Sequence, residues 1–487
     1  MSRLLDRVLD PARADGIAIE GDEASPPVSY GALARRSLAL ARRLAAGAEG
    51  LRGAPVAFLY PPGVAYVETL LGVMAAGGLA VPLSPLHTRP ELEQLLSDAG
   101  PIRVLCAPQL RDHLPAALPC PFDLAAPAPP DSALAPVPAD ADALMLFTSG
   151  TTGRPKGVVS SHAALAACAA SLHEAWGWRA GDRLLHVLPL HHTHGVVVAL
   201  LGGLWAGASV RVGDAQPLAI WRAFARASVF MGVPTIHARL LEAFTAAPPD
   251  DQVRFRQAAA GLRLVTSGSA ALPPSLLEGF AQATGHRLLE RYGMTEIGMA
   301  LSNPLAGPRI AGTVGRELPG VQVDIVDESE RPCEIGQPGE LRVRSPQMFT
   351  RYHGDPQATA LAFDSQGRFR TGDTGLREPS GWVRLLGRTS VDVLKSGGYK
   401  LSALEIEEAL RGHPAIADVA VIGQPDPIWG DRVTACVVLR PDTELSLAEL
   451  QTFARGHLAP YKLPRALRVL PKLPRNAMGK VQKTRLK

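Results

Sequence analysis

Apolar and polar positions along the chain switch between two periods. Over residues 29–49 (SYGALARRSLALARRLAAGAE) the apolar positions recur at helical spacing with arginine pairs between them, which predicts a surface helix. PVAFLY at 55–60 reads as a short buried strand, followed by a Pro-Pro-Gly turn at 61–63 and a helix of small residues at 65–77. IRVLCA at 102–107 repeats the strand signal. A Pro- and Ala-rich stretch at 121–140 has no period and reads as an exposed connector. Strands then return at 143–148 (ALMLFT), 184–190 (LLHVLPL), 228–234 (SVFMGVP) and 262–268 (LRLVTSG), each leading through small or polar residues into a helical run. This alternation predicts a mostly parallel sheet covered by helices, with ligands beyond the carboxyl ends of the strands.

After residue 310 the texture changes to short alternating strands between Gly and Pro turns: VQVDIVD, GELRVRS and GWVRLLGR. From 401 it changes again. A helix at 402–411, strands at 416–422 and 433–439, a helix at 446–457 and a strand at 466–470 make a small α+β module, joined to the body near GRTSVDVLKSGG at 387–398.

Composition narrows the function classes. The chain has 487 residues, 46% hydrophobic and 20% charged, with a formal charge of +4. Two to four domains fit that length. The last acidic residue is Glu449, and residues 450–487 carry ten Lys or Arg, so the remainder is net −6. The tail has few aromatics and no groove-reading motif, which argues against nucleic acid as partner. Cys106, Cys120, Cys168, Cys333 and Cys436 include no CxxC pair, so reduced structural cysteines are expected. The N-terminal MSRLLDRVLDPARADG lacks the apolar core of a secretory signal, and no apolar run is long enough to span a membrane; a cytoplasmic protein is expected.

The sharpest chemical signal is TSGTTGRPKG at 148–157, directly after a buried strand. Gly150 and Gly153 permit tight turns, Thr148, Ser149, Thr151 and Thr152 offer hydroxyls, and Lys156 offers an ammonium, a set suited to an oligophosphate. Its spacing is neither GxxxxGK[ST] nor GxGxxG. Downstream, Thr295 and Glu296 place a hydroxyl and a carboxylate side by side, suited to a phosphate and its Mg²⁺.

The loop resembles the phosphate loop of the adenylate-forming enzymes, the group of acyl-CoA synthetases, luciferases and peptide-synthetase adenylation domains. ERYGMTE at 290–296, YHGDP at 352–356, RFRTGDTG at 368–375, GRTSVDVLKSGGYKLSALEIE at 387–407 and PRNAMGK at 474–480 occur in the family's order. The resemblance implies an α/β protein: a large N-terminal domain (1–388) of two βα subdomains plus a β-barrel-like subdomain, then a small mobile α+β C-terminal domain (389–487). It implies ATP, Mg²⁺ and coenzyme A as cofactor and co-substrates. Lys480 becomes the catalytic lysine, neutralising charge as a carboxylate attacks the α-phosphate, with Lys156, Thr295 and Glu296 as its partners at the phosphates. Asp373 is matched to the ribose and Arg388 to a second nucleotide contact. Tyr292 is placed to stack on adenine, and Gly268, Ser269, Ala270, Glu290, Arg291, Gly293 and Met294 line the adenine and acyl sites. Glu296 and Thr151 are the metal candidates. Ser396, Gly397, Gly398, Tyr399 and Lys400 resemble the segment that meets the CoA thiol. Ten residues separate Arg388 from Tyr399, where many members have nine, so the hinge falls on Ser390, Val391 or Asp392.

The acyl pocket decides the acid. His191, His192 and His194 invite a zinc reading, but no carboxylate or cysteine nearby completes a site, which favours a hydrogen-bonding wall of His192, Thr193 and His194. Arg239, on the helix after VPT, either meets a second substrate carboxylate or faces solvent. LPLHHTHG, VPTIHARL, VTSGSAALP and LLERYGMTEIGMALSNP resemble the malonyl-CoA synthetase subfamily, in which an arginine after VPT is the expected carboxylate partner. Arg239 and then Arg291 are the candidates, with Met294 and Thr193 limiting the α-substituent. The expected activity is malonate–CoA ligation, with methylmalonate as second substrate and a monomer or homodimer as the assembly. Rivals are a short-chain, medium-chain or aryl acyl-CoA synthetase and an adenylation protein that loads a carrier protein. A catalytically weak nucleotide binder is disfavoured because Lys156, Glu296, Asp373 and Lys480 are all present.

Overall fold

The ends of the helices follow from local chemistry. Ser446 and Glu449 cap each other at the start of Leu447–Arg455: Ser446 N donates to Glu449 Oε2 at 2.8 Å, and Glu449 N to Ser446 Oγ at 3.3 Å. Ser161 caps His162–Trp176, which ends at Gly177 with φ 56°, and Ser402 caps Ala403–Arg411. The computed structural model describes residues 2–21, 26–45, 51–115, 133–148, 155–397, 399–475 and 481–486. Most of the connector expected at 121–140 lies outside them.

Two sheets carry the body. The first has six strands in the order Arg351–Tyr352, Lys156–Ser161, Asp142–Thr148, Leu79–Pro82, Pro55–Leu59 and Arg103–Cys106. Its last four strands are parallel, and Lys156–Ser161 is antiparallel to both neighbours. The second has nine strands, with a parallel centre made of Leu289–Met294, Leu264–Ser267, Val229–Gly232, Arg183–His186 and Ser209–Val212. The helices Tyr30–Ala45, Val64–Ala75 and His162–Trp176 contribute to the largest apolar cluster, which includes Leu33, Leu70 and Trp176. The strand expected to run to 190 stops at His186, because residues 187–193 leave the sheet to enter the site.

The barrel-like part is an open antiparallel sheet: Gln322–Val326, Gly339–Arg344, Phe369–Arg377 and Val383–Arg388. Val383 bridges Gly315 and so ties it to the second large sheet. The C-terminal module is a five-stranded sheet with Ala403–Arg411 and Leu447–Arg455 packed on it, and its apolar core begins at Leu394. Within it Lys483 is buried: its Nζ lies 2.6 Å from Asp392 Oδ1 and 2.6 Å from Glu407 Oε1, and Glu407 also accepts from Val421 N. Burial works to lower the Lys483 pKa, but the two carboxylates outweigh it and raise the value.

Removing one partner of a buried ion group leaves charge uncompensated. Lys483→Met should lower the free energy of opening the C-terminal sheet by about 3–5 kcal/mol, read as lost amide protection in Ile416–Asp426. A loss below about 1 kcal/mol would mean that the carboxylates are satisfied without the ammonium.

Candidate active site

Parallel strands Arg183–His186, Val229–Gly232, Leu264–Ser267 and Leu289–Met294 end along one edge of the nine-stranded sheet. Gly268 follows the third of them. A Cβ built there would lie 2.5 Å from Cζ of Arg291, so only glycine lets the guanidinium pass. Ser269 then takes the left-handed conformation, φ 69°, at a cost of about 1–3 kcal/mol. Its Oγ sits 3.3 Å from His194 Nδ1. His194 opens a π-helix, His194–Leu201, a widened turn that recurs at functional sites.

Arg291 is 3% exposed, and its Nε and Nη2 have no hydrogen-bond partner among the described residues. Burial lowers its pKa to about 10. Burial and the neighbouring Arg291 push His194 well below its usual value, so the wall beside the guanidinium is neutral. His194 Nε2 and Ser267 Oγ are likewise buried without a partner among the described residues. A buried cation beside uncharged polar groups is suited to a carboxylate.

Arg239 departs from the expectation. The helix Pro234–Ala246 buries Pro234, His237, Leu240 and Phe244 and leaves Arg239 exposed, its Nη2 3.5 Å from Gln216 Oε1. Two residues along a helix is about 200° of rotation from His237, which packs on Phe230 and Phe280, so the Arg239 side chain points away from that core. His191 and His192 pack ring against ring, centroids 4.1 Å apart, with His87 5.2 Å from His191. Burial pushes His191 down to about 3 and His192 to about 4. Among the described residues no three His, Cys, Asp or Glu side chains converge as metal ligands.

Asp373 and Arg388 are cross-strand partners, with Arg388 Nε 3.1 Å from Asp373 Oδ1. Tyr292 Oη donates to Asp373 Oδ2 at 2.6 Å. Strand residues expected at a nucleotide thus meet as one hydrogen-bonded group. Glu290 is buried and pushed up to about 8, accepting from Leu272 N at 3.2 Å. Gly293 and Met294 are half-buried, and Ala270 is exposed.

Thr148 and Lys156 face each other at the ends of an antiparallel pair. Ser149, Gly150, Thr151, Thr152 and Gly153 between them lie outside the described residues, as do Gly398, Lys480 and the Lys400 side chain. Thr193 Oγ1 donates to Thr295 Oγ1 at 2.9 Å, joining a residue expected at the acyl group to one expected at a phosphate. Glu296 is buried, which raises its pKa; Tyr352 Oη donates to its Oε1 at 3.0 Å, and Lys156 Nζ lies 4.7 Å from the centre of the Tyr352 ring. Tyr352 is a site residue that the expectations from sequence do not include. Its place in YHGDP was the available signal.

On the C-terminal module Ser396 is buried, Gly397 (φ 58°) packs on Trp429, and Tyr399 stacks on Tyr461 at 4.4 Å. Ser390 is exposed and Val391 half-buried. Asp392 contacts both sides of the joint, accepting from Arg388 N on one oxygen and from Lys483 on the other.

The model of the AMP-binding enzyme family matches residues 12–353, and that of the AMP-binding enzyme C-terminal domain matches 405–480. A bovine mitochondrial malonate–CoA ligase is 43% identical over 93% of this chain and 85% of its own length. The ATP-bound crystal structure of MatB from Rhodopseudomonas palustris is similar over 100% of this chain and 98% of its own, at 35% identity and TM-score 0.90. A malonyl-CoA ligase product complex with methylmalonyl-CoA and AMP, 38% identical, covers 98% of this chain and 100% of its own with TM-score 0.68. These relatives correct the cytoplasmic placement expected above: the bovine, mouse and human proteins are named as mitochondrial. Among the described residues no helix is long and apolar enough to cross a membrane.

The depressed histidines give a pH test. Unfolded imidazoles protonate near 6.5, while His191 and His192 resist until about 3 and about 4. Stability is therefore lost as pH falls below about 6.5. In an NMR titration both rings should stay neutral down to pH ~5. Midpoints near 6.5 would place them in water.

Proposed function

The chain belongs to the AMP-binding enzyme family, and from that premise we infer that it is an ATP-dependent malonate–CoA ligase. One malonate carboxylate oxygen attacks the α-phosphorus of ATP. An O–P bond forms, the bond to pyrophosphate breaks, and malonyl-AMP results. The sulfur of CoA then attacks the acyl carbon, AMP leaves with the bonding electron pair, the thiol proton passes to solvent, and malonyl-CoA is released.

The observation that carries the choice of acid is the buried Arg291, whose Nε and Nη2 lack partners among the described residues. A desolvated guanidinium favours an acid with a second carboxylate and disfavours acetate or a fatty acid, which leave the cation unpaired. That weighs against the short-chain, medium-chain and aryl alternatives. Loading of a carrier protein would use the same pocket and is separated by the thiol acceptor. Met294 and Thr193 bound the space at the α-carbon, and methylmalonate is the second substrate we assign.

Each remaining residue has a defined task in this reading. Tyr292 stacks on adenine, Asp373 accepts from the ribose hydroxyls, and Arg388 holds that carboxylate while facing the nucleotide. Lys156 and the hydroxyls of 148–152 hold the phosphates. Lys480 neutralises the charge gathering at the α-phosphate. Glu296, with its hard oxygen donors beside the Thr295 hydroxyl, fits Mg²⁺, which when bound shares that neutralisation. Ser396, Gly397 and Tyr399 face the CoA thiol, and a turn at Asp392 lets the small domain serve both steps.

The test is pyrophosphate release and hydroxamate trapping with malonate, methylmalonate, acetate, propionate, octanoate and benzoate, with and without CoA. Malonate should lead. Arg291→Ala should lower its kcat/KM by about 100-fold or more, as for loss of a buried charge partner, whereas Arg239→Ala should stay within about twofold, as for an exposed side chain. Acetate or octanoate outrunning malonate would overturn the assignment.

A further inference from the structure

The chain on either side of residue 388 forms bodies with separate cores. Among the described residues no buried apolar cluster has members on both sides: the clusters of the body stop at Leu385 and those of the C-terminal domain begin at Leu394. Without a shared buried core, polar contacts contribute to the orientation of the smaller domain. At the joint itself Ser402 Oγ donates to Leu386 O at 2.8 Å, and Arg388 N to Asp392 Oδ2 at 3.1 Å. Away from the joint, Lys395 Nζ stands 3.5 Å from Glu328 Oε1, but both side chains are about 70% exposed and in water contribute little.

Another contact has a different character. Helix Pro274–Thr284 of the body starts after Pro273, and neither Pro273 nor Pro274 has an N–H, so Ser275 carries the first free donor of that helix. No side chain of its own first turn caps it. Glu408, from Ala403–Arg411 of the C-terminal domain, supplies the acceptor instead. Its Oε1 takes Ser275 N at 3.1 Å and Ser275 Oγ at 2.9 Å, while Arg411 holds its Oε2. A carboxylate at a helix N-terminus gains from both the free amide and the helix dipole.

We propose that Glu408 is a positioning residue for adenylation, a clasp that seats the C-terminal domain on the first turn of helix Pro274–Thr284. The proposal rests on the reading above, in which Lys480 of the small domain acts at phosphates held by the large one. The first half-reaction then needs the domains held in one orientation. The thioester half-reaction presents residues 396–399 instead and gains nothing from Glu408 in its present seat. The structure matches the ATP-bound relative more closely than the product complex. Because Glu408 is half-buried and contacts neither pocket wall, its effect reaches the reaction only through domain placement.

Half-reactions separate this role from a general structural one. Glu408→Ala should slow malonate-dependent ATP–pyrophosphate exchange about three- to tenfold, the size expected for a helix-terminal carboxylate. Thioester formation from supplied malonyl adenylate should stay within about twofold of the parent protein or rise, since that step does not use the contact. Glu408→Gln keeps an acceptor and should recover part of the loss. Ser275→Ala, the milder variant, should lose less, and the double variant should be no slower than Glu408→Ala alone, as coupled partners require. Equal losses in both half-reactions, no loss in either, or additive losses in the double variant would overturn the clasp. Absence of malonate-dependent exchange in the parent protein would count against the malonate reading alone, and the clasp would then be measured with the acid that does support exchange.

Discussion

A buried guanidinium with no carboxylate among its described neighbours is the constraint around which the large domain is arranged. Arg291 leaves a strand into a wall where Gly268 makes room for it, and Ser269, in the left-handed conformation, brings its hydroxyl to His194. The π-helix that begins at His194 widens the chain at the same place. None of these local choices is favourable in isolation. A left-handed serine, a desolvated arginine and a neutral buried histidine each oppose folding, and the large apolar clusters beneath the sheet edge offset them.

The strand that carries Arg291 and Tyr292 ends at Met294, and the turn after it holds Thr295 and Glu296, so these groups are joined covalently as well as by the Thr193–Thr295 hydrogen bond. Antiparallel pairing sets Asp373 opposite Arg388 and hands Asp373 to the Tyr292 hydroxyl. Strand pairing thus fixes the spacing between Arg291, Tyr292, Asp373 and Arg388. Among the described residues, the C-terminal domain shares no apolar cluster with these strands, and polar contacts help to place it. A stiff site and a polar joint suit a two-step reaction in which one set of bound groups meets two faces of a small domain.

Much of this was legible in the residues. The strands at 55–60, 102–107, 143–148 and 228–234 all appear within a residue or two, because short apolar runs between turn-forming residues have few alternatives in an α/β chain. Tyr292, Asp373 and Arg388 were named as nucleotide residues from motifs, and the structure brings them into contact. Strand 184–190 was read too long, since LLHVLPL is apolar throughout and nothing local marks where pairing stops. By motif Arg239 ranks ahead of Arg291 as the carboxylate partner. Their neighbours along the chain do not differ in a way that reveals which one faces inward.

By itself, then, the sequence determined the alternation of elements, the glycine-dependent loops and the kinds of chemical group available, because these follow from backbone sterics and from spacing within a few residues. Only the tertiary structure decided which arginine is desolvated, that Tyr352 joins Lys156 to Glu296, and that Glu408 caps a helix 133 residues earlier in the chain. Those outcomes depend on which faces of distant elements are pressed together. Helical phase turned Arg239 outward, while a glycine just after a neighbouring strand gave Arg291 its place inside.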